Sequence, residues 1–508
     1  MTLRMPVYRP VCSLRRRYFS SKQISFDDVK LSFKSKSNVE IIRALMVFRL
    51  CGIKLLVRHS KQLFDLSTKA LGSGLTNAVL KQSFFGHFCA GEDENDIKPT
   101  ISRLQKNGLG AILDYAAEAD LGDVGGEDLF DKNAQISLSC IQTAGKSSEG
   151  FAAIKMTALC SPSLLEHLTN VLVHTQRVFK AFSENADPAT VQPGPMDSGK
   201  RVTVAQLEAG LRAINVQLPE DKVARLFHKM DLDKSGEIDY LDWITFLDPQ
   251  VLGGINPKFR SQGLKTLSEE DMKALESMLK RLHMLAEAAA KHKVRLMVDA
   301  EQSYFQPAID HLILYLQRRF NQEFPVIWNT YQCYLKDTPT RVRLDQQRSE
   351  RESFRLAAKV VRGAYMIQER DLAKQRGYPS PIHDTKTDTD RAYHQVVEMM
   401  IRHPGSELMV ASHNETSVKF TVDKMTELQL SNRGSGVFFG QLLGMCDHVS
   451  YALGHNGYAV YKYVPYGPIK YVLPYLIRRA QENGDVLSNS RKERQLLWTE
   501  LLRRLRLA

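Results

Sequence analysis

The chain lacks what a disulfide scaffold, a zinc finger or a membrane span needs. Its seven cysteines (Cys12, Cys51, Cys89, Cys140, Cys160, Cys333 and Cys446) are scattered, odd in number and never spaced C-x-x-C, so they read as reduced thiols. No stretch is a credible span, which takes about 20 mostly apolar residues. The best candidate, IIRALMVFRLCGIKLLV, is broken by Arg43, Arg49 and Lys54 and reads as an amphipathic helix. No complete G-x-G-x-x-G occurs, since GSGLTN lacks the third glycine, and this argues against a Rossmann site. Acidic residues are missing from the first 26 positions, which carry Arg4, Arg9, Arg15, Arg16, Arg17, Lys22, Ser13, Ser20 and Ser21. That composition predicts a mitochondrial transit peptide over 1–26, with processing near Phe19 to Ser21. Half of the net charge of +12 lies there. The remainder is mildly basic and gives no reason to expect nucleic acid. With 508 residues, 43% of them hydrophobic, the chain can build a large core and more than one domain.

After an N-terminal helical region over 27–105, short apolar segments recur. They are LGAILDYAA (109–117), FAAIKMTAL (151–159), VRLMVDAE (294–301), VIWNTYQCY (326–334), AAKVVRGAY (357–365), ELMVASHN (407–414), GVFFGQLLG (436–444) and YAVYKYVPYG (458–467). Several are near-continuous hydrophobic runs, as expected of parallel strands covered on both faces. Helix-like segments such as ERDLAKQ and TSVKFTVDKMTEL separate the later ones. The pattern predicts an α/β fold, a (β/α)8 TIM-like barrel, with a doubly wound sheet as the alternative. Polar residues gather at the C-terminal ends of the segments: Lys155, Asp299, Glu301, Gln332, Arg362, Tyr365, His413 and Asn414. Barrels build their sites at that end, so these residues point to one polar mouth.

Over 130 residues separate MTAL from RLMVDAE, too many for a barrel loop. An inserted unit is therefore expected over 171–255, between barrel parts at 106–170 and 265–490. Residues 231–242, DLDKSGEIDYLD, fit an EF-hand loop. Asp231, Asp233 and Ser235 offer side-chain oxygens, Gly236 permits the turn, Glu237 offers its carbonyl, Ile238 pairs with a partner loop, and Asp242 closes the loop. Asp242 stands where Glu is usual and is one methylene shorter, which weakens Ca2+ binding and discrimination against Mg2+. PEDKVARLFHKM and LDWITFL read as the flanking helices. Upstream, VFKAFSENADPATVQPGPMDSGKRVTVAQLEAGL reads as a partner hand that has lost its ligands and holds Pro195 and Lys200.

In YVLPYLIRRAQEN, Tyr475, Arg478, Arg479 and Glu482 fall at i, i+3, i+4 and i+7, and so share a helix face. Val472, Leu473, Leu476, Ile477 and Ala480 take the opposite face. Two neighbouring guanidiniums suit capture of a small carboxylate; on spacing alone, a solvated charged face is the competing reading. The C-terminal RKERQLLWTELLRRLRLA (491–508) is a basic amphipathic helix that either lies on an acidic membrane surface or, preferably, packs on the protein.

With these pieces in place the chain resembles the mitochondrial proline dehydrogenase family, in its animal form with an EF-hand insertion. RLMVDAEQSYFQPAID, NTYQCYLKDT, KVVRGAY, VASHNE, FFGQLLGMCD and KYVPYGPIKYVLPYLIRRAQEN carry the resemblance, in the family's order, over about 105–500. The resemblance implies a distorted barrel with noncovalent FAD at the strand C-termini, its last helix over the flavin, and oxidation of L-proline to Δ1-pyrroline-5-carboxylate. It also implies ubiquinone as acceptor and peripheral association with the matrix side of the inner mitochondrial membrane. Arg478 and Arg479 then hold the proline carboxylate. Lys155, Tyr365, Tyr463 and Tyr475 line the pocket, and Asp299 lies beside it. Gln332, Lys359, Arg362, Gly363, Ala364, Ser412, His413 and Asn414 match FAD-contacting positions, and Glu482 ties the helix to the cofactor region. Lys359 stands where bacterial members have Arg, which implies a monodentate contact. Glu118 aligns with a buried carboxylate near the first strand. In the sibling family that oxidises hydroxyproline, the position of Tyr463 is small, so a phenol here points to proline. The alternatives are hydroxyproline oxidation and a calcium-responsive, non-catalytic protein on the same fold.

Overall fold

The computed structural model describes residues 24–116, 126–147, 149–191, 199–246, 266–485 and 487–506. Eight parallel strands close a barrel: β1 (Gly110–Tyr115), β2 (Gly150–Ile154), β3 (Val294–Val298), β4 (Ile327–Gln332), β5 (Ala357–Val361), β6 (Glu407–Ala411), β7 (Val437–Leu442) and β8 (Val460–Tyr466). Each pairs with its neighbours in sequence, and β8 returns to β1 with Ile112 opposite Tyr463. The eight apolar segments are these strands. Closure excludes the doubly wound alternative, which leaves open edges.

Side chains alternate along a strand, and Ile112, Phe151, Met297, Trp328, Met409, Phe438 and Tyr461 fill the lumen as one buried cluster. Phe151 meets Tyr461, Phe438 and Trp328 edge-on at 4.7, 5.3 and 5.6 Å between centroids. Each such pair adds about 0.5–1.5 kcal/mol beyond area burial. Near the strand N-termini, Arg295 holds Glu407 bidentately at 2.6 and 3.1 Å, with its guanidinium 4.9 Å from the Phe438 centroid. The lumen is a plug, so reactive groups are confined to the opposite end.

The helix Asn38–Cys51 opens with a capping box in which Ser37 and Glu40 bond each other's backbone N–H, worth about 1 kcal/mol. The helix Leu487–Arg504 packs Leu497 and Leu501 against Phe33, Ile41, Ala44 and Phe48, and Arg504 donates to the Phe33 carbonyl at 2.8 Å. The basic C-terminal helix therefore packs on the protein. Residues 1–23 of the expected leader lie outside the described residues. Its last residue, Phe26, is buried in the main core with the Lys419 ammonium 5.5 Å from its ring. Phe26, within the range assigned to the leader, is thus part of the folded body, because its aromatic side chain finds an apolar socket.

The boundary expected at residues 170/171 falls within one continuous helix, Pro162–Glu184, whose Leu165, Leu168, Phe179 and Phe182 are buried. The strands Arg201–Val202 and Ile238–Asp239 pair antiparallel, with Val202 opposite Ile238. The helices Val204–Ala213, Glu220–Met230 and Tyr240–Phe246 surround them. Trp243 anchors this unit to Phe179 and Phe182 at 5.6 and 5.9 Å. Pro195 lies outside the described residues.

Candidate active site

Asp299 directly follows β3, and its N–H extends the ladder to the Ile154 carbonyl at 2.9 Å. Its carboxylate accepts from the Lys359 ammonium of β5 and, at 2.7 Å, from the Tyr463 hydroxyl of β8. Burial alone pushes the Asp299 carboxyl up, but the Lys359 and Lys155 ammoniums outweigh that and hold it below the usual range. Burial, with the Asp114 and Asp299 charges beside it, pushes the Tyr463 phenol well above its ordinary value. The phenol is a neutral donor locked on an ionised carboxylate. Next to it, Glu301 accepts from the Thr157 N–H (3.0 Å) and Oγ1 (2.7 Å), and the Glu301 carbonyl takes the Gln332 amide at 2.7 Å.

The helix Ile469–Asp485 reaches this mouth: Tyr475 acts electrostatically on Tyr463, and Arg479 on His413. Tyr475 and Arg479 are buried. The Arg479 guanidinium lies 4.9 Å from the Tyr475 centroid and donates to Glu482 at 2.6 Å. The Tyr475 hydroxyl and Arg479 Nε are buried without a hydrogen-bond partner among the described residues. Arg478 is half-buried. The two-faced helix read from spacing is therefore sandwiched. Val472, Leu476 and Ala480, and the Tyr475 ring with them, pack on Phe85, Phe88 and Cys89 of the N-terminal arm. A fully solvated face is excluded because Tyr475 and Arg479 are buried, while Arg478 and Glu482 are half-buried.

At the β5–β6 rim, the Arg362 guanidinium is engaged by Asp390 (2.6 and 2.9 Å), Ser412 (2.8 Å) and Ser417 (2.8 Å). It braces Ser412 in place. The Asn414 side-chain oxygen caps the helix Glu415–Glu427. Burial, with Lys462 and Arg479 near, pushes His413 down to about 3, and its Nε2 accepts the Leu442 N–H at 3.1 Å. Gly363 has φ 135°, and a Cβ there would meet the Tyr334 ring at 2.0 Å, so only glycine fits. Gly363 and Ala364 are exposed and Tyr365 is half-buried; Lys155, also half-buried, closes β2. Glu118 lies outside the described residues. Asp114, buried at the end of β1 beside Tyr463 and Tyr475, was missed by sequence reasoning. Its signal was the one used elsewhere, a polar residue near the C-terminal end of an apolar segment.

The insertion's loop is a separate acidic cluster. Asp231, Asp233 and Asp242 bring carboxylate oxygens within 4.8 Å of one another. Asp231 accepts from the Ser235 and Gly236 N–H groups at 3.0 Å, and the Ser235 hydroxyl donates to the Glu237 carbonyl at 2.9 Å. Sequence alone gave no hint of the other occupant. Arg351, from the barrel helix Thr338–Arg351, reaches Asp233 at 3.4 Å and Asp242 at 3.2 Å and pairs with Asp239 at 2.5 Å.

A closed parallel barrel with a plugged lumen, whose strand C-termini gather an ionised Asp, two Lys and two Tyr under a buried Arg, has the build of a barrel enzyme. The chain belongs to the proline dehydrogenase family, whose model matches residues 97–492, and it is an oxidoreductase. It is 38% identical to proline dehydrogenase 1, mitochondrial, of Homo sapiens over 95% of this chain and 90% of that protein. The Caenorhabditis elegans proline dehydrogenase 1 is 36% identical over 96% and 89%. Hydroxyproline dehydrogenase of Xenopus laevis is 35% identical over 98% and 95%. Like its proline dehydrogenase 1 relatives, the chain is mitochondrial. The fold matches proline utilization A (PutA) from Bdellovibrio bacteriovorus with TM-score 0.55 at 16% identity over 90% of this chain. The chain spans only 38% of that protein's length.

Proposed function

We propose that the chain catalyses FAD-dependent oxidation of L-proline to Δ1-pyrroline-5-carboxylate and passes the electrons to ubiquinone at the matrix side of the inner membrane. The observation that carries this is the Lys359–Asp299–Tyr463 cluster at the barrel mouth beside the buried Tyr475 and Arg479. The donors fit an acceptor-rich, anionic cofactor and a carboxylate substrate. Tyr475 Oη and Arg479 Nε are buried with no acceptor among the described residues, a cost of about 1–3 kcal/mol each unless a ligand satisfies them. Gln332, Lys359, Gly363, Ala364, Ser412, His413 and Asn414 would hold FAD, with Arg362 as their brace.

The oxidation removes a hydride from proline C5 and a proton from its nitrogen, leaving a C=N bond. Bound FAD supplies the two-electron acceptor for that hydride. Arg478 and Arg479 grip the carboxylate, which fixes the far end of the ring and so the position of C5. Lys155, Tyr365, Tyr463 and Tyr475 shape the pocket, and Asp299 offers negative charge to the substrate ammonium. Tyr463, fixed by Asp299, crowds ring C4, which favours proline over hydroxyproline. An anaerobic absorption spectrum tests the reading. The yellow protein bleaches on adding proline; a colourless protein, or an unchanged flavin spectrum, overturns it.

The 231–242 loop is read as a weak Ca2+ or Mg2+ site. Asp231, Asp233, Ser235, Glu237 and Asp242 are its ligands, and Arg351 is a competing internal cation. Calorimetry with CaCl2 tests this; no heat of binding removes it.

A further inference from the structure

The helix Ser60–Gln82 is mostly exposed. Of its 23 residues only Thr76 is buried. Yet Leu63, Leu66, Leu71, Leu75 and Val79 are 42–63% exposed. The chain leading into it adds Ile53 and Leu55, at 48% and 71%. Such a run of exposed large aliphatics marks an interaction surface. Leu63 and Leu66 share a face at i, i+3, and Leu75 and Val79 at i, i+4; the bend at Gly72, with φ 79°, lies between the two pairs.

The charge around this stripe is mostly positive, although Lys81 pairs with Glu92 at 2.7 Å. Residues 53–82 carry Lys54, Arg58, Lys61, Lys69 and Lys81 against Asp65 alone, and all six are exposed. A second copy of the same surface would bring like charges together. An anionic bilayer supplies both the apolar medium and the opposite charge. None of the described helices is long and apolar enough to cross a membrane, so the segment would lie in the interface. It packs on Phe84–Phe88 and on Ile469–Asp485, the helix at the barrel mouth.

We propose that residues 53–82 form the surface by which this protein lies on an anionic lipid bilayer, with the barrel mouth close to the lipid. Its purpose rests on the reading above, in which the electron acceptor is a bilayer-dissolved quinone; the docking itself is measured separately. The test is flotation of the full chain with phosphatidylcholine vesicles, with and without cardiolipin. The wild type floats with the cardiolipin vesicles, and the quadruple variant Leu63→Ser, Leu66→Ser, Leu75→Ser, Val79→Ser floats at least about tenfold less. Proline turnover with a water-soluble dye acceptor is unchanged in that variant. A second variant, Lys61→Glu with Lys69→Glu, keeps the apolar stripe and loses the preference for cardiolipin. A wild type that stays in solution with both vesicles overturns the proposal. So does a quadruple variant that floats equally well, or one whose only change is loss of a dimer in sedimentation. If neither protein turns over proline but the flotation difference holds, docking stands and the catalytic reading fails.

Discussion

Tyr463 donates to Asp299 at 2.7 Å while the Lys359 ammonium lies 5.3 Å from the centroid of its ring. The phenol is thus held at its tip and on its face, and cannot swing away from a substrate with a bulky C4. Hydroxyproline should show a kcat/KM at least about tenfold below that of proline, a term of about 1.4 kcal/mol. Tyr463→Ser should shrink that ratio by about tenfold, read from steady-state kinetics on both substrates. Equal turnover of both by the wild type would refute the assignment.

Asp299 gives a pH prediction. Its carboxyl is held below the usual range, above all by Lys359 against the cost of burial. A depressed carboxyl contributes stability that is present above the ordinary value of about 3.9 and lost as pH falls through the lower folded value. Asp299 is therefore ionised throughout the neutral range and contributes no titration there. Asp299→Asn should lower kcat/KM by about 100-fold and leave the ascending limb of the pH profile where it was. Disappearance of that limb would make Asp299 the titrating base instead.

All eight strands were legible in the sequence, because parallel barrel strands buried on both faces leave continuous apolar runs. The mouth was legible for the same reason: Asp299 and Gln332 interrupt those runs where the strands end. Asp114 carries the same signal and was overlooked. The shared face of Tyr475 and Arg479 and the apolar back behind it are legible as spacing. Helical periodicity cannot reveal that Tyr475 and Arg479 are themselves buried, or that Phe85 and Phe88 of the arm are what the apolar back packs on. Arg351 in the acidic loop was invisible because the partners lie over 100 residues apart in sequence.

The arginines should differ. Arg479 is buried with its guanidinium over Tyr475 and an Nε that has no partner among the described residues, whereas Arg478 is only half-buried. Arg479→Ala should raise the KM for proline about 30-fold or more, some 2 kcal/mol for a charge-assisted grip, with flavin still bound. Glu482→Gln keeps an acceptor for Arg479 but removes the charge from its 2.6 Å partner, and should change KM by less than about threefold, since the guanidinium keeps its ring contact. Unchanged proline kinetics in both Arg478→Ala and Arg479→Ala would remove the carboxylate clamp.

If the acidic loop takes a metal ion as proposed, Arg351 makes it a contest between two cations. Its guanidinium contacts Asp233, Asp239 and Asp242, so a metal ion must displace it. Arg351→Gln should raise calcium affinity by about tenfold, one unpaired competitor of roughly 1.4 kcal/mol. Burial, with Asp239 and Asp233 alongside, pushes Asp242 up to about 6. A raised carboxyl is protonated below its folded value, and a metal requires it ionised. Calcium binding should therefore weaken as pH falls through about 6 in both proteins. Calorimetric titration with CaCl2 on either side of that pH reads both effects. Equal affinity in the wild type and Arg351→Gln would show that the arginine does not compete for the loop.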